Sequence, residues 1–195
     1  ALVEALLHRC EAVGAVLAVD ECFLDFLPEG QSLSAKQLLN TSSHLVVLKA
    51  FTKLYGMAGV RLGYCLCADE GRLSRMQAAG QPWAVSSLAQ TAGIAALDET
   101  EYVAQVRALI EAQRPVLANG LQALGLRVIE GRANYLLFQA PEALGNALRQ
   151  KGAVLRGCGN YPGLDAGWYR TAVRTKTENR QLLALLAETL PEVTQ

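Results

Sequence analysis

The sequence predicts an α/β fold, and three observations carry that expectation. Short, continuous apolar runs are bounded by turn residues, amphipathic helical stretches lie between them, and after Gly125 the pattern changes to strands with crossing helices. Residues 1–12 place Leu2, Val3, Leu6, Leu7 and Cys10 at one-face helical spacing, and Gly14 is suited to end that helix. Residues 15–19 and 45–48 are continuous apolar runs, the pattern of parallel strands buried on both faces. The polar loop 25–43 between them contains Pro28 and Gly30 and has room for a helical turn over 35–39. Residues 61–67 form a further strand candidate. Asp69 then caps a helix running to about residue 79, which Gly80-Gln81-Pro82 breaks.

A helix over 87–97 follows. Asp98-x-x-Glu101 resembles a capping box opening a long helix with Tyr102, Val103, Val106, Leu109 and Ile110 on one face. Pro115 is expected to kink it near Glu111, because proline removes a backbone donor and crowds the preceding turn. Residues 127–129, 135–138, 154–156 and 169–173 are strand candidates. A helix is expected over 141–151, with Pro141 in its first turn and Gly152 at its end. Thr175-x-x-Glu178 caps the last helix, which carries Leu182, Leu183, Leu186 and Leu190.

Composition narrows the class. With 195 residues, 51% of them hydrophobic, and a formal net charge of zero, the chain is globular and large enough for one sizeable core or two smaller ones. It has no basic block for nucleic acid, no bilayer-length apolar run and no charged leader followed by an apolar stretch, so a cytoplasmic protein is expected. The five cysteines, Cys10, Cys22, Cys65, Cys67 and Cys158, include no C-x-x-C pair and read as buried reduced thiols, with no metal site. His8 and His44 are isolated and read as surface residues.

The chemistry concentrates in Leu48-Lys49-Ala50-Phe51-Thr52-Lys53-Leu54-Tyr55-Gly56-Met57-Ala58-Gly59-Val60-Arg61-Leu62-Gly63-Tyr64. Lys53 lies just after an apolar strand and eight residues before Arg61, which has a glycine on either side at 59 and 63. That setting suits a lysine whose amine forms a Schiff base with pyridoxal phosphate and an arginine whose forked donors hold the cofactor phosphate. Upstream by 33 residues, the first apolar run ends in Asp20-Glu21-Cys22-Phe23. A carboxylate at a buried strand end can keep a pyridine nitrogen protonated, which lets the ring take up the electron pair left at Cα. Thr52 and Tyr55 flank the lysine and either bond the cofactor or pack the turn. The pair Gly59 and Gly63 is no dinucleotide fingerprint, which needs G-x-G-x-x-G between strand and helix.

These motifs, taken with Gly131-Arg132-Ala133-Asn134-Tyr135-Leu136-Leu137, Arg156-Gly157-Cys158-Gly159-Asn160-Tyr161-Pro162-Gly163-Leu164-Asp165 and Trp168-Tyr169-Arg170-Thr171-Ala172-Val173-Arg174, carry a resemblance. The chain resembles the C-terminal part of fold-type-I pyridoxal-phosphate enzymes, over nearly all of residues 1–190. Within them it looks like the branch of histidinol-phosphate aminotransferases and L-threonine-O-3-phosphate decarboxylases, and more like the decarboxylases. Phe23 points the same way, since aminotransferases of the branch usually carry tyrosine there.

The resemblance implies the C-terminal part of the pyridoxal-phosphate-dependent aminotransferase fold: the rest of the large-domain sheet over 1–100, a connecting long helix over 101–124 and an α+β small domain over 125–195. It implies that about half of the enzyme lies outside these 195 residues and that the complete enzyme is a homodimer. Asp20, Thr52, Lys53 and Arg61 would hold pyridoxal 5'-phosphate, with Lys53 catalytic. Arg170 would meet a substrate carboxylate, Arg156 a phosphate or a shared anion site, and Asn134 would give polar support, as would Asn160. Arg174 either helps or caps its strand, and Trp83 is core or pocket wall.

The implied reaction is decarboxylation of L-threonine O-3-phosphate to 1-amino-2-propanol phosphate, the linker used in cobalamin synthesis. Losing carbon dioxide requires the Cα–carboxylate bond to stand perpendicular to the cofactor ring, whereas transamination places Cα–H there. Two other outcomes stay open: a histidinol-phosphate-type aminotransferase, and a non-catalytic truncated chain. The 195-residue chain alone is expected to be inactive.

Overall fold

The computed structural model describes residues 2–194. The chain forms two compact units that divide between Ala104 and Gln105, within one long helix.

In the first unit, α1 (Leu2–Ala12) leads into β1 (Leu17–Asp20). A loop follows with a 3-10 turn at Leu24–Phe26, the short helix α2 (Gly30–Leu33) and a second 3-10 turn at Ala35–Asn40. It delivers the chain to β2 (Leu45–Ala50), parallel to β1 with Asp20 opposite Leu48. After Lys53 and Arg61 have passed, β3 (Gly63–Cys67) returns antiparallel on the far side of β2, giving the order β1-β2-β3.

Burial on both faces, expected of both early strands, holds only for β2, where Leu45, Val46 and Val47 are buried. β1 lies at the sheet edge with Leu17 and Val19 half-buried and Ala18 and Asp20 exposed, so only one face is covered. Likewise α1 buries only Leu7, which joins Ala35, Leu45 and Val47 in a small core, while Leu2 and Leu6 stay exposed. The strand expected over 61–67 begins at Gly63, because Arg61 adopts a left-handed backbone (φ 59°) that no strand accommodates.

Two helices complete this unit. Asp69 caps α3 (Glu70–Ala79), its carboxylate accepting the Arg72 N–H at 2.9 Å. α4 (Ser87–Leu97) turns its small residues Ala89, Gly93 and Ala96 inward. A Cβ on Gly93 would fall 2.3 Å from Leu62 Cδ2, so glycine lets this helix approach the loop beside Arg61.

The long helix α5 (Thr100–Ala123) contains Pro115 and continues past it. The second unit then forms β4 (Arg127–Ile129), β5 (Tyr135–Gln139), α6 (Leu144–Gln150), β6 (Arg156–Gly157), β7 (Trp168–Ala172) and α7 (Lys176–Val193). Its sheet is antiparallel, ordered β4-β5-β7-β6. The strand expected over 154–156 starts only at Arg156, and the helix expected from residue 141 starts at Leu144 after a turn. Leu117, Leu121, Leu136, Phe138, Leu144, Leu148 and Leu186 form the core. Each fully buried side chain of this size stabilises by about 1.5–3 kcal/mol relative to leaving it in water. No helix among the described residues is long and apolar enough to cross a membrane.

Candidate active site

The ends of β1 and β2 present charged groups from adjacent strands. Asp20 is the last residue of β1, and its Oδ1 accepts the Cys22 N–H at 2.9 Å. The Cys22 thiol, then that backbone N–H, hold the Asp20 carboxyl below its ordinary range against some burial, and the nearby Lys53 charge adds to them. Burial, then the bond to Asp20, push the Cys22 thiol up to about 11, so it stays protonated and serves as a donor.

Lys53 follows β2 in a turn closed by the Gly56 N–H on the Lys53 carbonyl at 3.1 Å, with Gly56 left-handed at φ 64°. Its side chain is exposed, with Nζ 5.4 Å from the Phe23 ring centroid, within reach of a cation–π attraction. Thr52 is half-buried beside it, and Tyr55 stacks on buried Phe51 at 5.2 Å between centroids. Arg61 caps the 3-10 turn Ala58–Val60 and is exposed, with Nη1 donating to the Ala58 carbonyl at 3.0 Å. A left-handed non-glycine residue is strained, and such strain concentrates at functional positions.

One feature of this unit was not anticipated from sequence. Lys49 is buried in β2, its Nζ 3.1 Å from Glu21 Oε2 and 2.8 Å from Asp25 Oδ1. Glu21 also accepts the Ser34 hydroxyl at 2.7 Å and the Ala35 N–H at 2.6 Å. Burial disfavours the Lys49 charge, but Asp25 and then Glu21 outweigh it and hold the ammonium above the ordinary lysine range. A lysine inside the apolar run Leu45–Ala50 was the available signal, since a buried charge requires partners.

In the second unit, Arg156 is the first residue of β6 and lies directly opposite Arg170 in the middle of β7. Arg156 is exposed, and the half-buried Arg170 guanidinium lies 5.0 Å from the Tyr135 ring centroid. Asn134, just before β5, has a buried Oδ1 without a hydrogen bond. Asn160 is exposed, and Arg174 pairs with Glu178 through Nε at 2.8 Å. Trp83 is 96% exposed with a left-handed backbone (φ 58°), so it is not a core residue of the first unit. Asp20, Cys22, Phe23 and Lys53 are therefore gathered in one unit, and Asn134, Arg156 and Arg170 belong to the other.

An α/β unit with lysine, aspartate and arginine at the ends of its strands, followed by an α+β unit, defines a class, and comparison with known families agrees. Residues 1–186 match aminotransferase class I and II, and the chain belongs to that family. It is a family of enzymes that use pyridoxal 5'-phosphate. The chain is similar to the threonine-phosphate decarboxylase of Salmonella typhimurium, 34% identical over 97% of this chain and 52% of that protein. It is also similar to the histidinol-phosphate aminotransferase of Symbiobacterium thermophilum, 34% identical over 91% of this chain and 48% of that protein. The solved histidinol-phosphate aminotransferase of Clostridium acetobutylicum superimposes with a TM-score of 0.89 and 26% identity, covering 96% of this chain and 58% of that one. The chain thus spans about half the length of the curated relatives it matches.

Proposed function

We propose that the complete protein decarboxylates L-threonine O-3-phosphate to 1-amino-2-propanol phosphate, a linker for cobalamin synthesis, and that the 195-residue chain alone is inactive. The residues suit the cofactor: an exposed amine for its aldehyde, a carboxylate held ionised for its ring nitrogen and a guanidinium for its phosphate. Bound pyridoxal phosphate supplies an electron sink for the pair left at Cα when a bond there breaks. Lys53 would anchor it and later carry a proton at Cα, Asp20 would keep the ring nitrogen protonated, and Arg61 would bind the phosphate with support from Thr52.

The observation that carries the substrate is the register of Arg156 opposite Arg170. Like charges directly opposite on paired strands are destabilising, and a substrate with a carboxylate and a phosphate offsets both. Arg170 binds the carboxylate and Arg156 the phosphate or a shared anion site, while the Asn134 oxygen accepts a hydrogen bond from a substrate donor. Similarity to a histidinol-phosphate aminotransferase at equal identity supports transamination as the second reading. Phe23, which lacks a hydroxyl to bond the cofactor ring oxygen, favours decarboxylation.

The test supplies the full-length protein with threonine phosphate and, separately, with histidinol phosphate plus 2-oxoglutarate. Carbon dioxide from the first is the expected result, and glutamate from the second without carbon dioxide from the first would establish the aminotransferase reading instead.

A further inference from the structure

We infer that Lys49 is a positioning residue, whose ion pairs with Glu21 and Asp25 fix how the chain leaves β1 and β2 and so where Asp20, Phe23 and Lys53 meet. This rests on the assignment of the cofactor to Asp20 and Lys53.

The network joins four segments. Glu21 is the residue after β1, Asp25 lies in the turn Leu24–Phe26, Ser34 and Ala35 open the turn Ala35–Asn40, and Lys49 belongs to β2. The Lys49 and Glu21 side chains are 6% and 5% exposed. A buried ion pair contributes little net stability against well-packed apolar residues, because desolvation cancels most of the attraction. What it adds is direction: every bond here has a defined donor, acceptor and angle.

That direction bears on the site through strand alternation. Consecutive residues of an extended chain point to opposite sides. Glu21, drawn inward by Lys49, Ser34 and Ala35, leaves Asp20 pointing outward, where Lys53 influences its carboxyl. The Glu21 N–H also donates to the Leu48 carbonyl at 2.9 Å, extending the β1–β2 pairing by one residue beyond Asp20. Asp25, held by Lys49 at 2.8 Å, fixes the turn that presents Phe23 to Lys53. Lys49 itself is excluded as a cofactor amine, because it is buried and bound to two carboxylates.

The test uses the full-length protein, pyridoxal 5'-phosphate as the probe, and the double variant Glu21→Gln with Lys49→Met. This removes both buried charges while leaving an acceptor for the Ala35 N–H. Binding is measured by equilibrium dialysis, the asymmetry of the bound chromophore by its circular dichroism, and folding by the melting temperature without cofactor. The expected result is a melting transition retained near that of wild type, affinity at least tenfold weaker and a diminished dichroic band. Wild-type affinity with an unchanged band would overturn the inference, whatever the melting temperature does. Should the double variant fail to fold, Asp25→Asn serves, since Asp25 is partly exposed and the Lys49–Glu21 pair survives. It is expected to weaken binding at least threefold and diminish the band, and wild-type behaviour of both would overturn the inference. Failure of wild type to bind the cofactor would end both this inference and the reading beneath it, whereas binding unaffected by the variants would end this inference alone.

Discussion

Lys49 and Lys53 are four residues apart on one strand and its exit, yet one is buried among carboxylates and the other faces solvent. Only the exposed amine can reach an aldehyde. Lys53, Asp20 and Arg61 were singled out by their spacing along the chain, and the structure brings Lys53 near enough to Asp20 for its charge to act on that carboxyl. The Lys49 network was not, because its partners lie across the fold, 24 residues away for Asp25, and pairing at that range follows from strand register. The arginines behave similarly: sequence singled out Arg156 and Arg170, but only the β6–β7 register sets them opposite each other. Removing one charge-assisted contact costs about 1.5–3 kcal/mol, roughly ten- to hundredfold in rate when the contact acts in the transition state. Arg170→Ala in the full-length protein is therefore expected to slow carbon dioxide release by that factor and leave pyridoxal phosphate affinity near wild type. Steady-state kinetics beside cofactor titration checks both halves.

Among the elements, those with local signals were read most closely. The cap at Asp69, the capping box at Thr175 and the helix over 87–97 are found where expected, since caps act within one turn of sequence, whereas Asp98, expected to open the long helix, instead ends α4. Strand edges were read less well. The exposure of β1 depends on its having only one neighbour, and the start of β3 on the left-handed Arg61, neither of which hydrophobic pattern encodes. The cap of α7 yields a prediction at this scale. Thr175 and Glu178 bond reciprocally, and Arg174, then Thr175, hold the Glu178 carboxyl down to about 2 from 4.5. A carboxyl depressed in the folded state stabilises above its unfolded value, and that contribution is lost as pH falls from about 4.5 toward 2. Glu178→Gln is expected to flatten this part of the stability curve, measured by melting temperature against pH. Thr175→Ala is expected to cost about 1 kcal/mol at neutral pH.

At the scale of the whole molecule, much apolar surface of the first unit lies open. Trp83 and Leu88 are 96% and 82% exposed, Ile94 and Leu97 are exposed too, and the β1 edge offers unpaired backbone groups. Such surfaces favour association. The 195-residue chain expressed alone is expected to self-associate at micromolar concentration, seen by light scattering, and a stable monodisperse monomer would contradict this. The division between Ala104 and Gln105 leaves the cofactor candidates in one unit and the substrate candidates in the other. The most direct test is to reduce the full-length protein with borohydride in the presence of pyridoxal 5'-phosphate and map the labelled peptide. The account predicts a pyridoxyl group on Lys53, and label on Lys49, or on neither, would contradict it.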